Sequence, residues 1–183
     1  MKKILYYRSD ETIYMCLYNF CISHNIVLQR VDDSLLNIKL KDVFALQEEH
    51  NGKCEAFPDS YLLLDEISNE ELVNLLRNLK ENGCPFEGIK VTRTANNHIW
   101  SLEEVLKETG LEHRVMQKAG LLEMMMKTAA SADFAHMDKE TAGQIKAAVM
   151  DAFIYLQNGS FTEAELDQKC RALKEMLRQA AVG

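Results

Sequence analysis

Residues 61–64, Tyr-Leu-Leu-Leu, are an unbroken apolar run, followed at Ser68 by Ser-Asn-Glu-Glu and then by leucines at 72, 75, 76 and 79. Such a run suits a strand buried on both faces, which requires a sheet with cover on each side. Ser68 and Glu71 have the spacing of a capping box, in which each side chain satisfies a free backbone N–H at a helix start. The helix so begun ends at Asn82-Gly83, a left-handed cap, with Pro85 just beyond it. Residues 88–93, Gly-Ile-Lys-Val-Thr-Arg, then read as another strand. Strand, helix and strand in this order make a βαβ unit, which restricts the fold more than any other feature of the chain.

The same order occurs earlier. Residues 3–7 read as a strand and residues 10–23 as a helix, because Ile13, Cys16, Leu17, Phe20 and Cys21 recur at spacings of three and four. His24 continues that stripe as a structural histidine. Residues 26–31 are a second strand, residues 35–46 a turn with one short helix, and the polar stretch 48–60 a loop. The fold class expected is α/β: a small, mostly parallel four-stranded sheet with flanking helices, each crossover right-handed, followed by an all-helical C-terminal region. The division falls between an α/β domain over residues 1–109 and a helical region over residues 110–183.

Beyond Ser101 only helix is predicted. Ser101–Glu104 is a second capping box, and Gly110 interrupts or ends the short helix it starts. Further helices cover residues 112–130 and 139–157, Asn158-Gly159 breaks the chain, and Ser160–Glu163 offers a third capping box. The last helix carries Leu166, Cys170, Leu173, Leu177 and Ala180 as a seam that packs in the core or pairs with another helix. Leu121–Met126, Leu-Leu-Glu-Met-Met-Met, reads as core or as a dimer contact, since methionine adapts to irregular surfaces.

The formal net charge is −7 and the basic residues are scattered among acids, which disfavours nucleic acid as a partner. No window approaches the roughly 18 apolar residues of a membrane span. The apolar run at the N-terminus stops at Tyr7, too short for a secretory segment, so the chain reads as cytoplasmic. Its five cysteines include no CxxC pair and are expected as free thiols. His50, Cys54 and Cys84 lack the close pairing of structural zinc ligands, and no metal or cofactor is expected.

In a parallel sheet, ligands bind beyond the carboxyl ends of the strands. The loops there would carry Arg8, Ser9 and Asp10; Asp32 and Asp33; Asp65, Glu66 and Ser68; and Thr92, Arg93, Thr94, Asn96 and Asn97. From these and the fourth strand, Arg8, Asp10, Asp65, Lys90, Thr94 and Asn97 are the candidate ligand-binding residues, suited to a small polar or anionic ligand. The competing reading is that such residues are only turns and caps, where Asp, Ser, Asn and Thr are expected anyway. No glycine-rich phosphate loop, GxSxG elbow or HExxH helix is present, and no catalytic residue is assigned. Trp100, just before a capped helix, is expected to pack its indole on the sheet edge as a structural anchor.

The segment from Tyr61 to Glu108 resembles the DUF3783 family of bacterial proteins of unknown function. Lys90, Thr94, Asn97, Trp100, Ser101 and Leu102, with the acids Glu103, Glu104 and Glu108, stand at the matching positions. Ala95 and Ile99 depart from the pattern, and the helical tail lies outside it. The resemblance implies no activity. The expected function is a non-enzymatic interaction or regulatory role, with a protein partner or a second copy bound through the C-terminal helices. The alternative is a small-molecule- or anion-binding domain, or an enzyme, working at the strand ends.

Overall fold

The computed structural model describes residues 1–8, 10–131, 134 and 137–180. The chain divides into two units, Met1–Gly110 and Leu111–Gly183. Ser9 lies outside the described residues.

The first unit holds the sheet. Strand β1 (Lys3–Tyr7) leads into helix α1 (Glu11–Ser23) and strand β2 (Val27–Val31). A 3-10 turn (Asp33–Leu35) and helix α2 (Leu40–Ala45) follow, then strand β3 (Tyr61–Asp65), helix α3 (Asn69–Glu81) and strand β4 (Ile89–Thr92). The strand order is β2-β1-β3-β4. The outer pairings β1–β2 and β3–β4 are parallel, as βαβ units demand. The central pairing β1–β3 is antiparallel, with Lys3 opposite Asp65 and Tyr7 opposite Tyr61. The sheet is therefore mixed, and the second βαβ unit is turned by half a revolution against the first.

Successive strand residues point to opposite faces, and this alternation sorts the core. Ile4, Tyr6, Leu62 and Leu64 pack with Leu17 and Phe20 of α1 and with Leu75 and Leu79 of α3. Leu5, Tyr7, Tyr61 and Leu63 pack instead with Leu40, Val43 and Phe44 of α2 and with Leu102, Val105 and Leu106. Both central strands are thus covered on each side, as the continuous apolar run at residues 61–64 requires. The predicted capping box at Ser68–Glu71 is formed, and Gly83 closes α3 with φ 74°. In the second capping box, Ser101 Oγ accepts from the Glu104 N–H (3.2 Å) and Glu104 Oε2 accepts from the Ser101 N–H (2.7 Å).

Gly110 does not end a helix. Helix α4 runs unbroken over Leu102–Ala130. One internal glycine costs about 1 kcal/mol relative to alanine, less than the helix gains from its buried side chains. Helices α5 (Lys139–Gln157) and α6 (Glu163–Ala180) complete the second unit. The third cap sits two residues later than expected. Thr162 Oγ1 accepts from the Glu165 N–H (3.3 Å), and Glu165 Oε2 accepts from the Thr162 N–H (3.2 Å).

The core of this second unit is Leu122, Met126 and Ala129 of α4, Ile145 and Ala152 of α5, and Leu166 and Leu173 of α6. Leu166, Cys170, Leu173 and Leu177 of the heptad-like α6 seam are consequently spent inside the unit, and the side chain of Ala180 lies outside the described residues. The methionine-rich run is split: Leu122 and Met126 are buried, whereas Leu121 and Met124 point outward.

The cysteines require one correction. Cys16 on α1 and Cys84 beyond α3 form a disulfide, with Cα atoms 6.6 Å apart. The two helices lie side by side on one sheet face, so residues 68 positions apart in sequence meet. Cys21, Cys54 and Cys170 are free thiols. Cys84 is thereby removed from the weighed grouping with His50 and Cys54. Among the described residues no cluster of three or more His, Cys, Asp or Glu could hold a metal ion. No helix among them is long and apolar enough to cross a membrane.

Candidate functional site

The antiparallel pairing of β1 with β3 decides where the six candidate ligand residues go. The carboxyl end of β1 lies beside the start of β3. Arg8 and Asp10 are therefore at one edge of the sheet, while Asp65, Thr94 and Asn97 are at the opposite edge. The six do not make one site.

At the first edge, Asp10 is the N-cap of α1, its Oδ1 accepting from the Ile13 N–H at 3.0 Å. Arg8 Nη1 donates to the carbonyl of Pro58 at 3.0 Å. These residues line a shallow cleft of about 460 Å³ with Tyr6, Ile13, Ser60 and Phe86.

Asp32 and Asp33, at the carboxyl end of β2, are likewise engaged. Asp32 is buried and accepts from the N–H groups of Ser34 (2.9 Å) and Gly52 (2.6 Å) and from the Ser34 hydroxyl. Asp33 accepts from the Tyr7 hydroxyl and from the N–H groups of Glu55 (2.8 Å) and Ala56 (3.2 Å). Burial opposes ionisation of both carboxyls, yet these hydrogen bonds outweigh it and hold their pKa values below the ordinary carboxylate value. The pair fastens the 48–60 loop over the sheet end.

At the second edge, Asp65 Oδ1 pairs with Arg93 Nε at 2.8 Å, and the Arg93 guanidinium lies 5.4 Å from the centre of the Phe44 ring. Lys3 reaches this edge from β1. It is buried, and its Nζ donates to the carbonyls of Phe44 (2.9 Å) and Leu46 (2.6 Å), closing the C-terminus of α2. Burial pushes the Lys3 pKa down, against the attraction of Asp65.

The Thr94–Asn97 turn uses up its own polar groups. Asn97 Oδ1 accepts from the Thr94 N–H (2.7 Å) and its Nδ2 donates to the Thr92 carbonyl (3.0 Å). Thr94 Oγ1 accepts from the N–H groups of Asn96 and Asn97. A small cleft of about 290 Å³ remains, lined by Asp65, Arg93, Thr94, Ala95 and His98. The Nδ1 atom of His98 is buried without a hydrogen-bond partner. Sequence reasoning passed over His98 because a lone histidine in a turn carries no spacing signal.

Lys90 stands apart from this cleft on the exposed side of the edge strand β4. Its Nζ is 5.2 Å from the centre of the Phe86 ring, and desolvation lowers its pKa while Glu87 raises it. Trp100 is 39% exposed, beside Ile99 at 55%. Its backbone carbonyl accepts from the Leu40 N–H at 2.8 Å and so starts α2.

The second unit offers a different surface. Met126 and Ala130 of α4, Phe134, and Lys146, Val149, Met150 and Phe153 of α5 line an open groove of about 600 Å³. An adjoining groove of about 480 Å³ extends it to Lys127, Leu156 and Gln157. Lys146 Nζ lies 4.8 Å from the centre of the Phe134 ring, leaving the walls almost wholly apolar. Met150 (58%), Phe153 (50%) and Ile154 (53%) of α5 remain exposed, as does Met124 (58%) of α4. Exposed apolar side chains that border an apolar groove, as Met150 and Phe153 do, mark an interaction site more often than a single exposed side chain does. A signal for it was present in the sequence. The buried stripe of α5 contains Ala142, Ile145 and Ala152, and Met150, Phe153 and Ile154 fall outside that stripe.

No curated protein and no solved structure matches the chain. Residues 60–116, from the start of β3 through α3, β4 and the Thr94–Asn97 turn into α4, match the model of the DUF3783 family, a domain of unknown function, in agreement with the resemblance read from Lys90, Thr94, Asn97 and Trp100.

Proposed function

We propose that this chain is a non-enzymatic interaction protein of the bacterial cytoplasm, which holds a protein partner on the α4–α5 face of its helical unit. The observation that carries this reading is the apolar groove of about 600 Å³ bordered by exposed Met150 and Phe153. Large apolar side chains around a concave apolar surface suit a protein ligand better than a small polar one. The polar residues at the sheet ends support the same reading from the other side, since Asp10, Asp32, Asp33 and Asn97 are each committed to backbone N–H groups. In a reducing cytoplasm Cys16 and Cys84 would be held as thiols, so the Cys16–Cys84 bond represents the oxidised form there.

A photo-cross-linking residue at Met150, in cells that express the full chain, tests the proposal. Covalent protein adducts are expected there and should be absent with the same residue at the exposed polar position Glu70 of α3. A Met150 probe that labels no protein sinks the reading.

A second reading, a small-anion site at the carboxyl ends of β3 and β4, is favoured by the unpartnered His98 Nδ1 in the cleft with Arg93. Calorimetric titration with phosphate and short carboxylates checks it. Heat that disappears in Arg93→Gln supports the site, and no heat in the unaltered protein removes it.

A further inference from the structure

The exposed face of α5 has an internal symmetry that names its partner. Glu140, Gly143, Ala147, Met150, Ile154 and Gln157 follow one another at spacings of three and four, the pattern of a two-helix seam. All six are exposed, so nothing among the described residues of this unit covers the seam. Gly143 is unexplained within the chain. A Cβ built there would meet nothing within 4 Å, yet glycine inside a helix weakens it relative to alanine. An outside neighbour that approaches the backbone closely would account for it.

When two copies of this helix are laid antiparallel, one two-fold axis between residues 148 and 149 matches the whole seam. Gly143 then faces Ile154 of the other copy, Ala147 faces Met150, and Glu140 faces Gln157. Each small residue meets a large one, and the carboxylate at each end meets an amide. The flanks agree in charge as well. Lys146 comes beside the Phe153 ring of the other copy, and Gln144 beside Asp151, so no like charges meet. Lys146 and Phe153 both border the groove, so Phe153 of each copy enters the groove of the other. Such an interface is isologous and closes at two copies. A parallel pairing would instead set Gly143 against Gly143 and Glu140 against Glu140, leaving a gap and a pair of like charges.

We propose that the α5 face binds a second copy of this chain in an antiparallel, two-fold arrangement along that seam. This rests on the protein-binding reading above and specifies its partner. A seam that an unrelated helix was to fill would have no reason to match its own reverse at every position.

Sedimentation velocity of the full chain under reducing conditions, over a concentration series, is the test. The unaltered protein should shift from the 20.9 kDa monomer toward twice that mass. Gly143→Ile and Ile154→Ala should each weaken the dimer by about tenfold or more. Both positions are exposed, and circular dichroism confirms that each variant folds. The double variant should regain affinity to within about threefold of the original, because the exchanged large and small residues again face each other across the axis. A monomer at the highest concentration, or a double variant weaker than either single one, overturns the proposal. If the purified chain stays monomeric while the Met150 probe labels a different protein, the dimer fails and the protein-binding reading stands. A monomer whose probe labels nothing removes both.

Discussion

The two sheet edges and the α5 face differ in what their side chains have left to bind. At the edges, polar residues are numerous and mostly occupied: Asp10 caps α1, Asp32 and Asp33 fasten the 48–60 loop, and Asn97 closes its own turn. On α5, Met150, Phe153 and Ile154 are half exposed beside an open groove. Polar clustering at strand ends is therefore weak evidence of a site, because buried backbone groups need the same residues. Unsatisfied apolar area is the stronger signal, since leaving it in water has a cost that an interaction removes.

This contrast can be broken from its structural side first. Asp32→Ala removes the buried carboxylate that accepts from the N–H groups of Ser34 and Gly52 and should cost about 3 kcal/mol, read as a lower urea midpoint. An unchanged midpoint would mean that the loop is not held this way. Acid should act in the same direction. Folding lowers the pKa values of Asp32 and Asp33, so their stabilisation is complete above the ordinary carboxylate value of about 4 and is lost as pH falls through the lower folded values. Asp32→Asn should flatten the acid limb of stability against pH, whereas a limb of equal slope would place the proton uptake elsewhere.

Asn97→Ala removes the acceptor of the Thr94 N–H and the donor to the Thr92 carbonyl, at a cost of about 1–2 kcal/mol in thermal or urea unfolding. A loss of ligand binding with full stability would return this turn to the list of sites. The α5 face should respond in the opposite sense. Gly143→Ala is expected to stabilise the monomer by up to about 1 kcal/mol, because the new methyl meets open space and helix propensity rises. A destabilised monomer would show that Gly143 is required within the chain. Smallest of all is Met150→Gln, expected within about 0.5 kcal/mol of the parent in urea unfolding measured at concentrations where the chain is monomeric. A large loss would assign Met150 to the core.

Most elements were legible because their signals are local. The apolar run at residues 61–64, the capping boxes at Ser68 and Ser101 and the stop at Gly83 depend on neighbours a few positions away. The Gly110 break was misjudged because propensity cannot weigh the packing on either side of one glycine. The α6 seam was legible as a seam, but its choice between the unit's own core and an outside helix was not. Of the candidate site, the polar turns were located correctly while their convergence was not. Trp100 was placed at the right junction, and its exposure went unforeseen.

The βαβ units, their order and the strand faces follow from local pattern alone, because side-chain periods of two and 3.6 are written in consecutive residues. Long-range packing sets β1 and β3 antiparallel, which sends Arg8 and Asp65 to opposite edges. The same packing brings Cys16 to Cys84 and leaves Met150, Phe153 and Ile154 of α5 exposed. Each of these depends on which distant surfaces meet. A strand carries the same alternation whichever way its neighbour runs, and a helix carries the same stripe whether or not anything packs against it.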